Sequence, residues 1–192
     1  MEDAGLPTPR SVVCERFEDA MAAFDEVGRD VVVKPLFGSE GRGMARLSDP
    51  DIAYRTFRAL ELARAIFYLQ EYVPHSGRDI RVFVVGGRAV AAMTRRGDTW
   101  KTNLAQGARA EPMELTAQVS LLSQRAADAL EADYAGVDLL PADDGRLWVL
   151  EVNGIPGWQG LQQTTALDIA GAIADHVLGI ASRAADRGAS QE

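Results

Sequence analysis

The sequence has one cysteine, two histidines and no apolar run of membrane-spanning length. Cys14 cannot form an internal disulfide, which agrees with a reducing compartment and an ordinary strand cysteine. No Cys/His spacing fits a zinc site, and no internal repeat or low-complexity tract is present. The start, Met1-Glu2-Asp3-Ala4, has neither a basic flank nor an apolar signal core. The expectation is a cytoplasmic protein with no membrane partner. Positive charge is in deficit: 20 Lys and Arg stand against 28 Asp and Glu, a net charge of −8. That argues against nucleic acid as a partner held by bulk attraction, and leaves room for an anionic ligand in a local basic pocket. A P-loop ending in Gly-Lys-Ser/Thr is missing, and so is a glycine fingerprint between a first strand and its helix. His75 and His176 are far apart in sequence, and each reads as a surface residue.

What is present is ordinary globular material: 192 residues, 47% hydrophobic and 25% charged. That length suits one domain or two small lobes around a cleft. The segment Gly5-Leu6-Pro7-Thr8-Pro9 is a turn-rich entry. The patterns then predict a strand at 11–14, a helix at 18–27, strands at 31–35 and 44–47, and a helix from Pro50 to about Arg64. An apolar strand at 66–73 follows, then a hairpin of 79–85 and 88–94 around Gly86-Gly87. Residues 99–109 read as irregular, 116–132 as an amphipathic helix, and 165–178 as a last helix before a polar tail. Antiparallel hairpins without a regular βαβ rhythm indicate an α+β architecture.

The most informative stretch is two apolar runs, 135–141 and 147–153, flanking Asp143-Asp144-Gly145-Arg146. Asp-Gly is a strong hairpin signal. With Asp144-Gly145 as the turn, Asp138 faces Glu151 and Gly136 faces Asn153. Glu151 and Asn153 are two apart and share a face. Opposed carboxylates repel in a sheet, and two acids plus an amide suit a hard cation such as Mg²⁺. The plainer reading is a solvated polar face.

Lys34 ends the apolar run Val31-Val32-Val33, where a lysine needs an anion or an exit to water. Gly38, Ser39, Gly41 and Gly43 follow, and such glycines let backbone N–H groups approach phosphate. A β-turn beside a sheet-edge lysine is the alternative. Gln70-Glu71-Tyr72-Val73 leaves a strand before Pro74 and offers backbone groups to an adenine edge. Asp79 and Arg81 share a strand face, as a plain ion pair or as contacts to ribose and phosphate. Arg95, Arg96, Lys101 and Asn103 form a local positive set, read as a loop.

In order, Lys34–Gly43, Gln70–Val73, Asp79–Arg81, Thr102-Asn103-Leu104, Ala135–Asp138 and Leu150–Asn153 with Pro156-Gly157 resemble the ATP-grasp superfamily. Within it the chain resembles the RimK-like α-L-glutamate ligases, and is most similar to the tetrahydromethanopterin:glutamate ligase branch. The resemblance runs from about Gly5 to Leu178. It implies an ATP-grasp fold of two α/β lobes with antiparallel sheets around a nucleotide cleft. Residues 5–180 would form that domain, with 14–72 covering the nucleotide, 73–180 carrying the metal and catalytic groups, and 181–192 a polar tail. It also implies an upstream α/β domain that this sequence does not contain. Lys34 would meet the phosphates of ATP, under a loop containing Gly38, Ser39, Gly41 and Gly43. Glu71, Tyr72 and Val73 would form the adenine hinge, Asp79 would hold ribose, and Lys101, Thr102 and Asn103 would line the phosphate side. Asp138, Glu151 and Asn153 would hold two Mg²⁺ ions, with Mn²⁺ as a substitute, and Arg81 and Arg95 would stabilise an acylphosphate. The implied activity is an ATP-dependent carboxylate–amine ligase adding L-glutamate to a carboxylate-bearing acceptor. Ligation of another amino acid, as in carrier-protein-based lysine synthesis, stays open. So do a homo-oligomeric state and a nucleotide-binding module without turnover.

Overall fold

The computed structural model describes residues 1–38 and 40–189. Ser39, expected in the phosphate-covering loop, lies outside the described residues, as does the end of the expected tail. Strands β1 (Ser11–Cys14), β2 (Val31–Lys34), β3 (Ala45–Leu47) and β4 (Phe67–Glu71) form an antiparallel sheet in the order β1-β4-β2-β3. Val31 and Val33 point to one face and Val32 and Lys34 to the other, as the two-residue strand period requires. Helices α1 (Phe17–Glu26) and α2 (Pro50–Leu62) bury the first face. The Phe24, Phe57 and Phe67 rings meet edge to face there. Asp49 starts α2 by accepting from the backbone N–H groups of Asp51 and Ile52, with Pro50 at the first helical position.

The second sheet has the order β7-β6-β5-β8-β9. Its strands are β5 (Arg78–Val85), β6 (Arg88–Arg96), β7 (Arg109–Met113), β8 (Tyr134–Pro141) and β9 (Leu147–Asn153), and all neighbours are antiparallel. Residue parity along β5 divides the sheet's contents. Ile80, Val82 and Val84 pack with α3 (Ala117–Asp128). Phe83 and Val85 pack on the other side with Leu161 of α4 (Gln159–Gln162) and Ile169, which opens α5 (Ile169–Ala189). Asp79 and Arg81 have the parity of Phe83, so they face the side that closes the cleft.

Three sequence expectations shift. Arg95 and Arg96 lie in β6 rather than in a loop, and 109–113, of which the sequence pattern reads Arg109 as irregular and leaves the rest unassigned, forms edge strand β7. Pro112 hid that strand; a proline that cannot donate to a ladder is tolerated at an edge. The last helix starts at Ile169 and continues to Ala189, past the expected start of the tail. The 5–9 segment is also more than an entry. Leu6 is buried in the α3-side core, and Pro7 O accepts from Val149 N at 2.7 Å. The chain therefore docks on the second sheet before it builds the first.

The acidic hairpin reaches its expected pairing by an unexpected route. Its turn holds three residues, Asp143-Asp144-Gly145, closed by Ala142 N to Arg146 O at 2.9 Å. Gly145 sits at φ +83°, the left-handed position that a three-residue hairpin needs. That moves the register by one, so Pro141 pairs with Leu147 and Leu139 with Val149. A bulge at Leu150 moves it back, and Asp138 then pairs with Glu151 and Gly136 with Asn153.

Candidate functional site

Lys34 projects from β2 into the space between the sheets, where its Nζ donates to Gln70 Oε1 at 2.6 Å. Gln70, itself buried, donates in turn to Ser11 Oγ at 3.0 Å. This relay across three strands aims the ammonium. Burial pushes the Lys34 pKa down, and the carboxylates of Glu151 and Asp138 partly restore it. The cleft carries a cation that is short of partners.

Across the cleft, the second sheet presents a row of charges built by strand pairing. Glu151 opposes Asp138, Asp138 opposes Arg81 on β5, and one pair further along Asp79 opposes Arg95 on β6. Arg81 grips Asp138 with two donors, Nε to Oδ1 and Nη2 to Oδ2, the latter at 2.9 Å. Arg95 forks Asp79 at 2.7 and 2.6 Å and also reaches Asp138 Oδ2 at 2.9 Å. Asp79 and Arg81 therefore pair with neighbouring strands and not with each other. Burial would raise the Asp138 carboxyl, but Arg95 and Arg81 outweigh it and hold the group below the usual range. Burial would lower Arg95, and Asp138 and Asp79 overcome that and raise it.

Glu151 differs. Its side chain is 54% exposed, and its nearest guanidinium, Arg81, is 3.9 Å away. It is wetted by the cleft yet crowded by its walls. Burial, and then Asp138, push its pKa up, against Arg81 and Lys34. Three acids (Asp79, Asp138, Glu151) and three cations (Lys34, Arg81, Arg95) balance, and Glu151 is the acid left accessible.

Two adjoining cavities meet at this row. The larger is about 740 Å³ and is lined by Lys34, Gly38, Gly41, Arg81, Glu151 and Asn153 among others. The smaller, about 90 Å³, is a slot walled by Glu71, Tyr72, Val73, Asp79, Lys101 and Thr102. Lys34, Arg95, Asn103 and Glu151 line both. Among the described residues, the expected ones other than Gly43 line these two cavities, but several are occupied by protein partners. Glu71 pairs with Arg10 at 3.2 Å, and its N–H donates to Arg10 O. Tyr72 N donates to Asp30 O, and its ring carries Arg46 at 3.4 Å. Val73 N–H makes no hydrogen bond among the described residues. Both Asp79 oxygens are taken, one also by Thr102 Oγ1 at 2.6 Å. Lys101 Nζ donates to Met44 O at 2.8 Å, tying the end of the glycine loop to the second sheet. Gly43 is in that loop with φ +75°. Gly41, at φ +71°, lies so close to Asn103 that a Cβ would collide with its side-chain oxygen. Gln70 and Arg46 are contributors whose roles sequence reading missed; the one available signal was a polar residue inside an apolar strand.

Asp138, Glu151 and Asn153 are hard oxygen donors of the kind Mg²⁺ takes alongside phosphate and water. Among the described residues no three His, Cys, Asp or Glu side chains converge, so the set is two carboxylates with an amide. Asn153 Oδ1 accepts from Ile155 N at 2.9 Å, which fixes its orientation. Glu151, accessible and facing both cavities, with Asp138 deprotonated beside it, fits such an ion.

A profile of the RimK-like ATP-grasp domain matches residues 1–177. The chain belongs to the RimK-like ATP-grasp family. A tetrahydromethanopterin:alpha-L-glutamate ligase of Methanococcus maripaludis is 39% identical over 189 residues, covering 94% of this chain and 63% of the relative. A probable alpha-L-glutamate ligase of Picosynechococcus is 38% identical over 177 residues, covering 90% and 58%. The ATP-grasp ligase PsnB, solved with minimal precursor, Mg and ADP, superposes with a TM-score of 0.73 at 28% identity, covering 93% of this chain and 55% of that one. This RimK-like chain thus has the ATP-grasp fold, and spans less than two thirds of the length of these relatives. Among its described residues, no helix is long and apolar enough to cross a membrane.

Proposed function

We propose that this chain is the ATP-grasp part of an ATP-dependent carboxylate–amine ligase that adds L-glutamate to a carboxylate-bearing acceptor. The observation that carries the reading is the junction of the two cavities, where Lys34, Arg95, Asn103 and Glu151 line both. A slot next to an unpaired backbone N–H suits a purine edge, and the wider cavity suits two further substrates. The similarity to glutamate ligases and to a Mg- and ADP-bound neighbour supports the same assignment.

In this reading Val73 N–H meets the base and Lys34 meets the phosphates beneath the Gly38–Gly43 loop. The acceptor carboxylate oxygen takes the terminal phosphoryl group and ADP leaves. The amine of glutamate then attacks the acylphosphate carbonyl, loses a proton and expels phosphate, leaving an amide. A carboxylate is a poor electrophile, so the phosphoryl group supplies the leaving group. Arg81 and Arg95, paired with Asp138 and Asp79 on neighbouring strands, hold a fixed set of charges beside the reacting groups that needs no reorganisation during reaction. Asp138, Glu151 and Asn153 would hold Mg²⁺, two ions in the fullest form, with Mn²⁺ as a substitute. When bound, the metal would offset charge on the transferring phosphoryl group.

The test is ADP release by the purified chain and by a version extended upstream, screened over amino acids and acceptors with and without Mg²⁺. Release that needs Mg²⁺, glutamate and an acceptor together supports the assignment. A requirement for a different amino acid redirects it to another ligase. ATP bound with no turnover in any combination leaves a binding module.

A further inference from the structure

The link Pro74–Gly77 joins β4 to β5, and the chemistry above uses nothing from it. Its histidine, expected at the surface, is half-buried on the wall of the smaller cavity. His75 Nδ1 lies 2.8 Å from Val73 O, and Nε2 lies 3.0 Å from Trp100 O. Both neighbours are carbonyl oxygens, which can only accept. A neutral imidazole has one N–H, so one contact would then set lone pair against lone pair. The imidazolium has two and satisfies both. Of the two histidines, His176 is the one beside a carboxylate, Asp133 at 3.4 Å; His75 has carbonyls.

Charged and titratable residues come to this wall from four elements. From the β4 side comes the Tyr72 ring at 5.7 Å, which carries Arg46. From the loop after β6 come Trp100 and Lys101, the latter bonded to Met44 O. From β5 comes Asp79, held by Arg95. From the acidic turn comes Asp143, whose N–H donates to Pro74 O at 3.0 Å.

We propose that His75, as the imidazolium, is a positioning residue for the purine slot, acting through Val73. Its two bonds tie the chain leaving β4 to the loop that supplies Lys101, Thr102 and Asn103, opposite walls of one slot. Tyr72 N–H is anchored on Asp30 O and Val73 O on the imidazole, so the unpaired Val73 N–H between them is held in place. The neutral ring keeps one of the two ties. The slot therefore tightens on a purine when the ring carries both protons and loosens when it carries one. This inference rests on the reading of the cleft as an ATP site.

The experiment pairs ADP titrations at pH 6 and pH 8, with Mg²⁺, on wild type and His75→Gln. Long-range ¹H–¹⁵N spectra of the wild-type histidines, assigned with His176→Gln, accompany them. Wild type is expected to bind about ten-fold more tightly at pH 6 than at pH 8, beyond any change seen in the variant. His75→Gln is expected at the weaker level at both, because titration of phosphate and of the cleft acids is common to the two proteins. In turnover the variant should raise KM for ATP and leave kcat nearly unchanged. The His75 ring should be doubly protonated at pH 6 in the folded chain. A neutral single tautomer at pH 6, which needs no variant to observe, overturns the inference, and so does ADP binding with the same pH profile in both proteins. Wild type that binds no ADP at either pH overturns the ATP reading as well.

Discussion

Asp138 and Glu151 oppose each other on β8 and β9, yet they live in different media: Asp138 is 3% exposed, and the Glu151 side chain is 54% exposed. The first is held as an anion by two guanidinium groups. The second is pushed toward neutrality by its surroundings and by the first. The arginines fix the first in place, and the second is the more open to a ligand.

Glu151→Gln should therefore stop Mg²⁺-dependent turnover without unfolding the chain. Burial, and then Asp138, raise the pKa of Glu151 on folding above its ordinary 4.5. Its contribution to stability is present below the unfolded value and lost as pH rises through the folded one. Glu151→Gln should be at least as stable as wild type at pH 7, with the advantage vanishing below pH 4.5. Urea melts at both pH values check this; a variant less stable at pH 7 would refute the crowding described here.

Arg81→Met should behave in the opposite way. Asp138 would keep its burial and lose its two-point partner, and breaking one side of a buried pair costs about 3–5 kcal/mol. Denaturation of Arg81→Met and of the double variant Arg81→Met/Asp138→Asn measures it. The double variant should recover much of the loss.

Lys34→Met should fold normally and bind ATP poorly. Burial lowers the Lys34 pKa, so the ammonium opposes folding at neutral pH, and that opposition fades as pH rises through the folded value. Removing it should leave stability unchanged or improved. A lost charge-assisted contact to phosphate, about 1.5–3 kcal/mol, corresponds to roughly 10- to 100-fold weaker binding. Calorimetric titration with ATP and with adenosine separates the phosphate contribution, which alone should fall.

Gly41→Ala and Gly145→Ala form a controlled pair. Both glycines sit at positive φ, where a Cβ costs about 1–2 kcal/mol. A Cβ at Gly145 meets open space, whereas at Gly41 it meets Asn103, with Cγ at 2.8 Å. Both should lose stability, and Gly41→Ala should also lose ATP affinity because Asn103 is pushed from the wall shared by the two cavities. Equal ATP affinity in the two variants would count against that wall.

Apolar alternation and turn chemistry were enough to mark most strands and helices, and the facing of Asp138 and Glu151. That facing was counted through a two-residue turn and an unbroken strand. The real hairpin has a three-residue turn and a bulge at Leu150, and the two shifts cancel. The edge strand at 109–113 stayed hidden because Pro112 has no place in an interior ladder. The partners of the acids were not legible either. Arg81 is 57 positions from Asp138, and Arg95 is 16 from Asp79. Local pattern states which face a side chain takes. It does not state which strand lies beside it.

The sequence by itself determined the two-residue and helical periods, the turn positions and the set of oxygen and nitrogen groups available to a cleft. The tertiary structure alone decided which of those groups stay free. Sheet order put Arg81 and Arg95 against Asp138 and Asp79, where burial makes an unpaired charge too costly to leave. It left Glu151, Lys34 and the N–H of Val73 facing the cleft between the sheets.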